Sequence, residues 1–205
     1  MALVTRTTPT FNSVEAPVVL ATGSVGTLRT LDLKTEAGAW FYVRMGRRVA
    51  TALTRAAEVI IRRTDNDTLS LPIRTYDVLS QTAAVASTTL SASAAIGDGT
   101  ISLTSNTGFA VGDTVCLHSD DTAANRVEFV RLVENTSGTT WRVERNLRVA
   151  HTGIGGTNDR VTNLADVRAI YVPGGDHYEI RCINNSGQSI VFVIDQVTEK
   201  GDTIT

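Results

Sequence analysis

The sequence predicts an all-β protein: a jelly-roll-like β-sandwich built from the N- and C-terminal segments, with a small β-barrel inserted between them. Short apolar runs alternate with polar residues from residue 18 to residue 197. Turn-forming Gly, Asn and Asp residues separate these runs at short intervals. Aromatic residues make up only 5% of the chain and hydrophobic residues 42%, which indicates a core built mostly from Val, Ile, Leu and Ala.

The first 80 residues predict an extended arm followed by the first half of the sandwich. Residues 1–16 are rich in Thr and have no clear period, so we expect an arm that becomes ordered on a partner. Residues 17–80 form the first sandwich segment, with strands near 18–20, 31–33, 40–45 and 58–63. The Ala-rich stretch 47–57 contains β-branched residues between two strands, so a loop is predicted there rather than a helix.

A change of composition marks the inserted domain, which we place at residues 81–163. Residues 80–96 are small and uncharged, as in a linker or a lightly packed strand. Alternating runs then resume, and residues 134–138 predict a hairpin turn between strands near 126–133 and 140–145. The pattern predicts a compact barrel of five or six strands.

Residues 164–200 return to the style of the first segment and complete the sandwich, leaving 201–205 as a tail. Alternation places Tyr178, Ile180 and Cys182 on one face of a strand, and the strand near 190–194 has an apolar face of its own. The turn at 184–187 predicts that these two strands form a hairpin. A lone hairpin is only marginally stable, so we expect both strands to pair with those at 18–63.

Charge and hydropathy argue against two classes of partner. The formal net charge is −2, which gives no global electrostatic attraction to nucleic acid or to an anionic membrane. No apolar stretch approaches the ~20 residues of a membrane span, and residues 1–14 lack the apolar core of a signal peptide. We therefore expect neither nucleic acid nor membrane as a partner, and synthesis in a cytoplasm.

Few residues are arranged for chemistry. Cys116 and Cys182 lie in apolar runs and are predicted to be buried free thiols. Cys116, His118, Asp120 and Asp121 are the one local group of metal-capable residues, but they lack the spacing of a zinc site. No Gly-x-Ser-x-Gly motif or phosphate-binding loop is present. We expect no catalytic residues, no metal and no cofactor, and therefore a protein that is not an enzyme.

Arginine dominates the cationic residues: of the 19 Lys and Arg residues, only Lys34 and Lys200 are lysines. Arginine suits planar contacts with carboxylates, although genomic base composition also favours it. A cluster of Arg47, Arg48, Arg62 and Arg63 would form a contact patch for acidic residues of a neighbouring subunit. The alternative is that these residues are solvated charges that guard strand edges.

Three stretches resemble head-associated structural proteins of tailed bacteriophages. The first runs from Thr30 to Arg47 and continues through residues 51–54 and 59–64. The second is the insert, where residues 108–113 precede a strand, a hairpin that contains Glu, and residues 147–151. The third is the sequence Tyr-Val-Pro-Gly-Gly at 171–175, before the last strands. Together the similarity spans most of residues 28–197.

The resemblance implies a capsid decoration, or cement, protein without catalytic residues. Its partner would be the major capsid protein, and its place the capsid exterior of a virion assembled in a host bacterium. It would be a homo-oligomer, for which we expect a trimer. The arm would lie across capsid subunits, adding a strand to an exposed edge, with Phe11 as an apolar anchor. The expected capsid and subunit contacts are Arg6, Phe11, Arg47, Arg48, Arg62 and Arg63.

Two other classes of function remain open from the sequence. A carbohydrate-binding or adhesion module of a phage tail or head fibre would use exposed aromatic and acidic residues, for which the candidates are Trp40, Tyr42, Trp141 and Asp120. A tail-associated hydrolase would need a cleft with convergent carboxylates.

Overall fold

The protein is built from antiparallel β-strands. The computed structural model describes residues 4–5, 10–12, 18–33, 36–47, 50–65, 69–77, 83–119, 126–153, 158–163, 166–200 and 203–204. The strands are β1 Val4–Thr5, β2 Thr10–Asn12, β3 Val18–Leu20, β4 Ser24–Asp32, β5 Glu36–Arg47, β6 Glu58–Asp65, β7 Leu69–Asp77, β8 Ser87–Thr89, β9 Thr100–Ser102, β10 Thr114–His118, β11 Val127–Ser137, β12 Thr140–Val143, β13 Arg160–Asn163, β14 Asp166–Pro173, β15 His177–Asn184, β16 Ile190–Lys200 and β17 Thr203–Ile204.

Two sheets form the sandwich and confirm the predicted fold class. One has the strand order β14-β5-β16-β2, and β3 also pairs with β16. The other has the order β4-β15-β6-β7. Their facing sides bury one apolar core, which includes Phe41, Met45, Ile61, Ile180 and Phe192. Burial of such side chains is the main free energy that holds the two sheets together.

Strand β5 shows why the alternating pattern predicts its faces correctly. Phe41, Val43 and Met45 are fully buried in the core between the sheets. Trp40 and Tyr42 point to the opposite, outer face and are exposed. Successive side chains of a strand project to opposite sides, so a strand between a core and solvent carries this two-residue period.

The predicted hairpin between the last two long strands is wrong. Strand β15 pairs with β4 and β6 in the four-stranded sheet, whereas β16 pairs with β5, β2 and β3 in the other sheet. The connection at 185–189 therefore crosses from one sheet to the other. Both strands turn their apolar faces to the same core from opposite sides, which gives the same alternation that a hairpin would.

The second core lies in a six-stranded sheet with the order β8-β13-β10-β11-β12-β9. A bridge between Leu90 and Leu103 brings the two edges of this sheet together, so that it curls into a barrel. The barrel encloses Leu103, Leu117, Leu132 and Trp141 among other apolar side chains. The predicted hairpin is present as β11 paired with β12. Strand β11 extends into the predicted turn as far as Ser137, and the chain reverses at Gly138, whose φ of 51° favours glycine.

The barrel packs on the outer face of the five-stranded sheet through a dry contact that we call the joint. Cys116, Val127 and Phe129 of the barrel lie against Val191 and Val193 of β16, and Val19 packs at its margin. Gly46 of β5 permits this close approach, because a Cβ there would overlap with Cys116 Sγ. The joint therefore covers the part of that sheet face around Val191 and Val193. On the other part, which we call the open half, the described side chains of Trp40, Tyr42 and Tyr171 are exposed.

The remaining segments were only partly predicted. Strand β7 was missed, and residues 50–57 form the predicted loop, without helix or strand. Within the expected arm, β2 pairs with the chain's own β16, and β1 pairs with β17 in the expected tail. Among the residues described above, no helix is long and apolar enough to cross a membrane.

Candidate functional site

Three aromatic side chains form an exposed surface on the open half of the five-stranded sheet. Trp40, Tyr42 and Tyr171, which we call the aromatic platform, are 37%, 37% and 38% exposed. Trp40 and Tyr171 are cross-strand partners, and their ring centroids lie 5.2 Å apart at an interplanar angle of 53°. Gly38 makes room for this pair, because a Cβ there would overlap with the Tyr171 hydroxyl. The rings are thus held on a rigid sheet.

An ion pair borders the platform on the same face. Asp195 is the cross-strand partner of Tyr42, and its Oδ2 lies 2.8 Å from Arg44 Nη2. The Asp195 side chain is 5% exposed, and its Oδ1 is buried without a hydrogen-bond partner. A buried acceptor without a donor costs free energy, so this oxygen is an open site for a hydrogen-bond donor.

The structure brings only two of the residues predicted for carbohydrate binding together on one surface. Trp40 and Tyr42 share the platform, but the prediction that Trp141 is exposed is wrong. Trp141 is 3% exposed inside the barrel, and its Nε1 donates a hydrogen bond to Asn106 Oδ1 at 2.8 Å. Asp120 lies outside the described residues.

The arginines predicted to form one patch lie in different places. Arg47 ends β5, is 1% exposed, and donates a hydrogen bond from Nη1 to the Ala83 carbonyl at 2.6 Å. Burial lowers the pKa of Arg47 from its ordinary value. Arg62 and Arg63 lie in β6 of the other sheet, where Arg63 is exposed and pairs with Asp176.

Register separates Arg47 from the β6 pair along the sandwich. Arg47 is the cross-strand partner of Ile190, next to the connection at 185–189. In the other sheet, Glu58 pairs with Ile183 and so lies at the end near the same connection. Arg63 lies five residues further along β6. At ~3.3 Å per residue this is roughly 16 Å. The structure therefore does not bring Arg47 together with Arg62 and Arg63.

The predicted contacts in and near the arm are only partly within the described residues. Arg6 and Arg48 lie outside them, as does the side chain of Phe11. The backbone of Phe11 is the partner of Val197, which in turn pairs with Trp40. Phe11 therefore occupies the same cross-strand row as Trp40 and Tyr171.

A buried ionic cluster in the barrel was not predicted from the sequence. The carboxylate of Glu128 accepts hydrogen bonds from Arg145 Nη1 at 2.5 Å and from the backbone N–H groups of Arg148 and Val149. Burial favours a raised pKa for Glu128. The nearby imidazole of His151, the Arg148 N–H and the charge and hydrogen bond of Arg145 outweigh it and lower the pKa to about 2.

The cluster continues through His151, whose side chain is fully buried between two carboxylates. Its Nδ1 lies 2.8 Å from Asp159 Oδ2, and its Nε2 lies 3.7 Å from Glu128 Oε2. Arg126 Nη2 lies 3.3 Å from the other oxygen of Asp159. A His–Asp pair can orient a general base, but within the described chain no side chain forms a hydrogen bond with His151 Nε2. These contacts join β11 to the connection that contains His151 and to Asp159, the residue before β13.

The candidate metal group does not assemble in the part of the chain that the structure describes. Cys116 faces the joint, and His118 is buried, with its Nε2 3.4 Å from Thr162 Oγ1. Asp120 and Asp121 lie outside the described residues, and no group of three or more His, Cys, Asp or Glu side chains within those residues is placed to hold an ion. Both cysteines are buried and free, as predicted, and burial raises the pKa of the Cys182 thiol.

Sequence reasoning missed Tyr171 and Asp195 as members of the platform region. Ile170 and Val172 are buried on either side of Tyr171, so the alternation in β14 does indicate an exposed Tyr171. Asp195 follows from the same period in β16, but its pairing with Arg44 depends on the register between β5 and β16.

Comparisons with known proteins assign this chain to no group, since no protein-family model matches it and no curated protein is significantly similar to it.

Proposed function

We propose that this chain is a virion structural protein that binds the assembled shell of a tailed phage from outside and stabilises it as a decoration, or cement, protein. The proposal is supported by the resemblance that three stretches within residues 28–197 bear to head-associated phage proteins. An all-β body is compatible with that role.

The single observation that carries the proposal is the joint. A protein that binds only the assembled shell stabilises it by mass action, because every bound copy favours the assembled state. A rigid ligand loses little conformational freedom when it binds, so more of its contact free energy reaches the shell. Val191 and Val193 hold the barrel on the sandwich through an apolar contact with Phe129, and we expect this contact to make the two modules bind as one body.

The terminal segments and the β6 arginines are the proposed contacts. Within the described residues, β2 pairs with β16 at three positions on the edge of its sheet, and we expect residues 1–16 to exchange onto a neighbouring edge at little cost. Arg63 is accessible at the surface and Arg62 is half-buried. Arg47 is buried within its own chain, so the contact patch is proposed without it.

The test is co-sedimentation of the purified chain with intact phage heads and, separately, with dissociated shell protein. We expect binding to the intact heads alone, in a copy number comparable to that of the shell protein, and heads that withstand higher temperature. Light scattering of the free chain tests the expected trimer. If the chain neither sediments with heads nor raises their thermal stability, the proposed function is wrong.

The contact segment is tested with two deletions. Removing residues 2–16 should abolish shell binding, whereas removing residues 2–9 keeps β2 and should retain a measurable part of it. Circular dichroism should show nearly the same β content for both variants, because the described strands that the deletions remove are short: β1 has two residues and β2 has three. A folded 2–16 deletion that binds heads as the full chain does refutes the role of the arm but not shell binding itself.

A further inference from the structure

We propose that the aromatic platform binds a neutral saccharide chain, an activity separate from attachment to the shell. The platform lies on the half of the sheet face that the barrel leaves open. Trp40, Tyr42 and Tyr171 present their rings there from adjacent rows of two paired strands. Aromatic faces of this kind pack against the C–H faces of sugar rings. The Tyr171 hydroxyl donates a hydrogen bond to the Ala37 carbonyl at 3.3 Å, and its oxygen can still accept one from a ligand.

The charge at the platform favours a neutral ligand. Arg44 is the one cation among the described side chains of this face, and it is paired with Asp195 at 2.8 Å. The pair leaves no net positive charge for a phosphate or an acidic peptide, both of which need unpaired cationic donors. A neutral sugar requires only polar groups at the edge of an aromatic surface.

Asp195 supplies the second, independent observation. Its carboxylate is buried in the same face, yet Oδ1 has no hydrogen-bond partner. Sugar hydroxyl groups are donors, and for one of them to reach this oxygen the Arg44 side chain, which is 31% exposed, would have to move aside. A small number of oriented polar groups beside an apolar surface is the usual composition of a small-ligand site.

The size of the platform fits sugar rings better than a protein partner. Each ring exposes roughly a third of the ~150–250 Å² that an aromatic side chain can bury, or about 200 Å² for all three. A stable protein interface buries about 800 Å² on each partner. Trp40 and Tyr42 are two residues apart, or roughly 7 Å along the strand, so the three rings cover only a few sugar units.

The experiment uses the full-length chain and an array of neutral and anionic glycans, followed by calorimetry with the best neutral oligosaccharide. We expect neutral glycans to bind and the fluorescence of Trp40 to change on binding. Trp40→Ala and Tyr171→Ala should each weaken binding at least tenfold, and Asp195→Asn should weaken it less. Val111→Ala, at an exposed apolar residue of the barrel, is the matched control and should bind as the wild type does.

Three outcomes overturn the proposal: no glycan is retained, only anionic glycans bind, or Trp40→Ala and Tyr171→Ala bind as the wild type does. Head co-sedimentation of the same variants separates this inference from the proposed function, because platform variants should still bind heads. If Trp40→Ala abolishes head binding and no glycan binds the wild type, the platform is a protein-docking surface.

Discussion

Glu128 carries a full negative charge inside the barrel, and its surroundings explain why the barrel tolerates it. Removing a carboxylate from water costs several kcal/mol unless donors replace the water. Two backbone N–H groups and the Arg145 guanidinium donate to its oxygens, and charged hydrogen bonds are the strongest that proteins form. The ionised form is therefore the favoured one in the folded state.

The first prediction concerns the pH dependence that Glu128 confers. Its pKa is about 2 in the folded protein and ordinarily 4.5, so its stabilisation is complete above pH ~4.5 and is lost as the pH falls towards 2. The difference corresponds to on the order of 3 kcal/mol at neutral pH. Glu128→Gln should lose a large part of this free energy of unfolding at pH 7 and show a flatter acid profile, as measured by urea unfolding from pH 7 to pH 2.

Glu134→Gln is the matched control, on the same strand. Glu134 pairs with Arg142, and both side chains are more than half exposed. Exposed ion pairs contribute little, so this variant should stay within about 0.5 kcal/mol of the wild type. If Glu128→Gln and the wild type lose stability in parallel between pH 5 and pH 2, the assigned role of Glu128 is wrong.

At the scale of elements, the connection between β15 and β16 holds the two sheets of the sandwich together. Asn184 is fully buried and donates from Nδ2 to the carbonyls of Leu20 and Gln188 at 2.8 and 2.7 Å. Its Oδ1 accepts a hydrogen bond from the Ser186 hydroxyl at 2.6 Å. One amide therefore ties β3, the end of β15 and the start of the crossing connection.

The second prediction is that the hydrogen bonds of Asn184 contribute more to the free energy of unfolding than an exposed side chain of the same segment does. Asn184→Ala leaves the Leu20 and Gln188 carbonyls without these donors and should lower the free energy of unfolding by about 2–3 kcal/mol. Asn185→Ala, at the exposed neighbour, should be within about 0.5 kcal/mol of the wild type. Equal midpoints of urea unfolding for the two variants would contradict this assignment.

The same connection shows what the sequence can and cannot predict. Alternation correctly assigns Tyr178, Ile180 and Cys182 to a buried face, because the period of a strand is a local property. The strands that pack against that face are distant in the sequence. A hairpin and a connection that crosses between two sheets produce the same alternation of apolar and polar residues. Which sheet each strand joins is decided by packing between distant residues, which alternation does not encode.

The candidate sites show the same difference between what a local pattern predicts and what contacts between distant residues decide. Trp141 and Val143 share one face of β12 and both are buried, so the period already indicated that Trp141 is not a surface residue. The cluster of Glu128, His151 and Asp159 is different, since it joins residues from separate elements through side-chain contacts. No spacing along the chain marks such a group.

For the whole molecule, the joint decides whether the sandwich and the barrel unfold together. Interfaces between domains of one chain often allow relative motion unless they are well packed and apolar. Phe129 and Cys116 are almost fully buried against Val191 and Val193, so opening the joint exposes an apolar surface on both modules. That cost couples the two cores, and we expect calorimetry of the wild type to show one unfolding transition.

The third prediction is that a single methyl group at Gly46 uncouples them. A Cβ on Gly46 would overlap with Cys116 Sγ and lie 3.0 Å from the ring of Phe129, so Gly46→Ala must push the barrel away from the sheet. The calorimetric trace should then separate into two transitions, one for each core. Phe129→Ala weakens the joint by leaving a cavity on the barrel side, and it should likewise separate the calorimetric trace into two transitions.

Gly99→Ala is the matched control for Gly46→Ala. A Cβ on Gly99 would meet only Asn146 Oδ1, at 3.4 Å, and Gly99 has no left-handed φ. This variant should therefore unfold in one transition at the wild-type midpoint. If the wild type already unfolds in two transitions, or if Gly46→Ala and Phe129→Ala both unfold in one transition at the wild-type temperature, the joint does not couple the two cores, and the joint no longer supports the proposed shell binding.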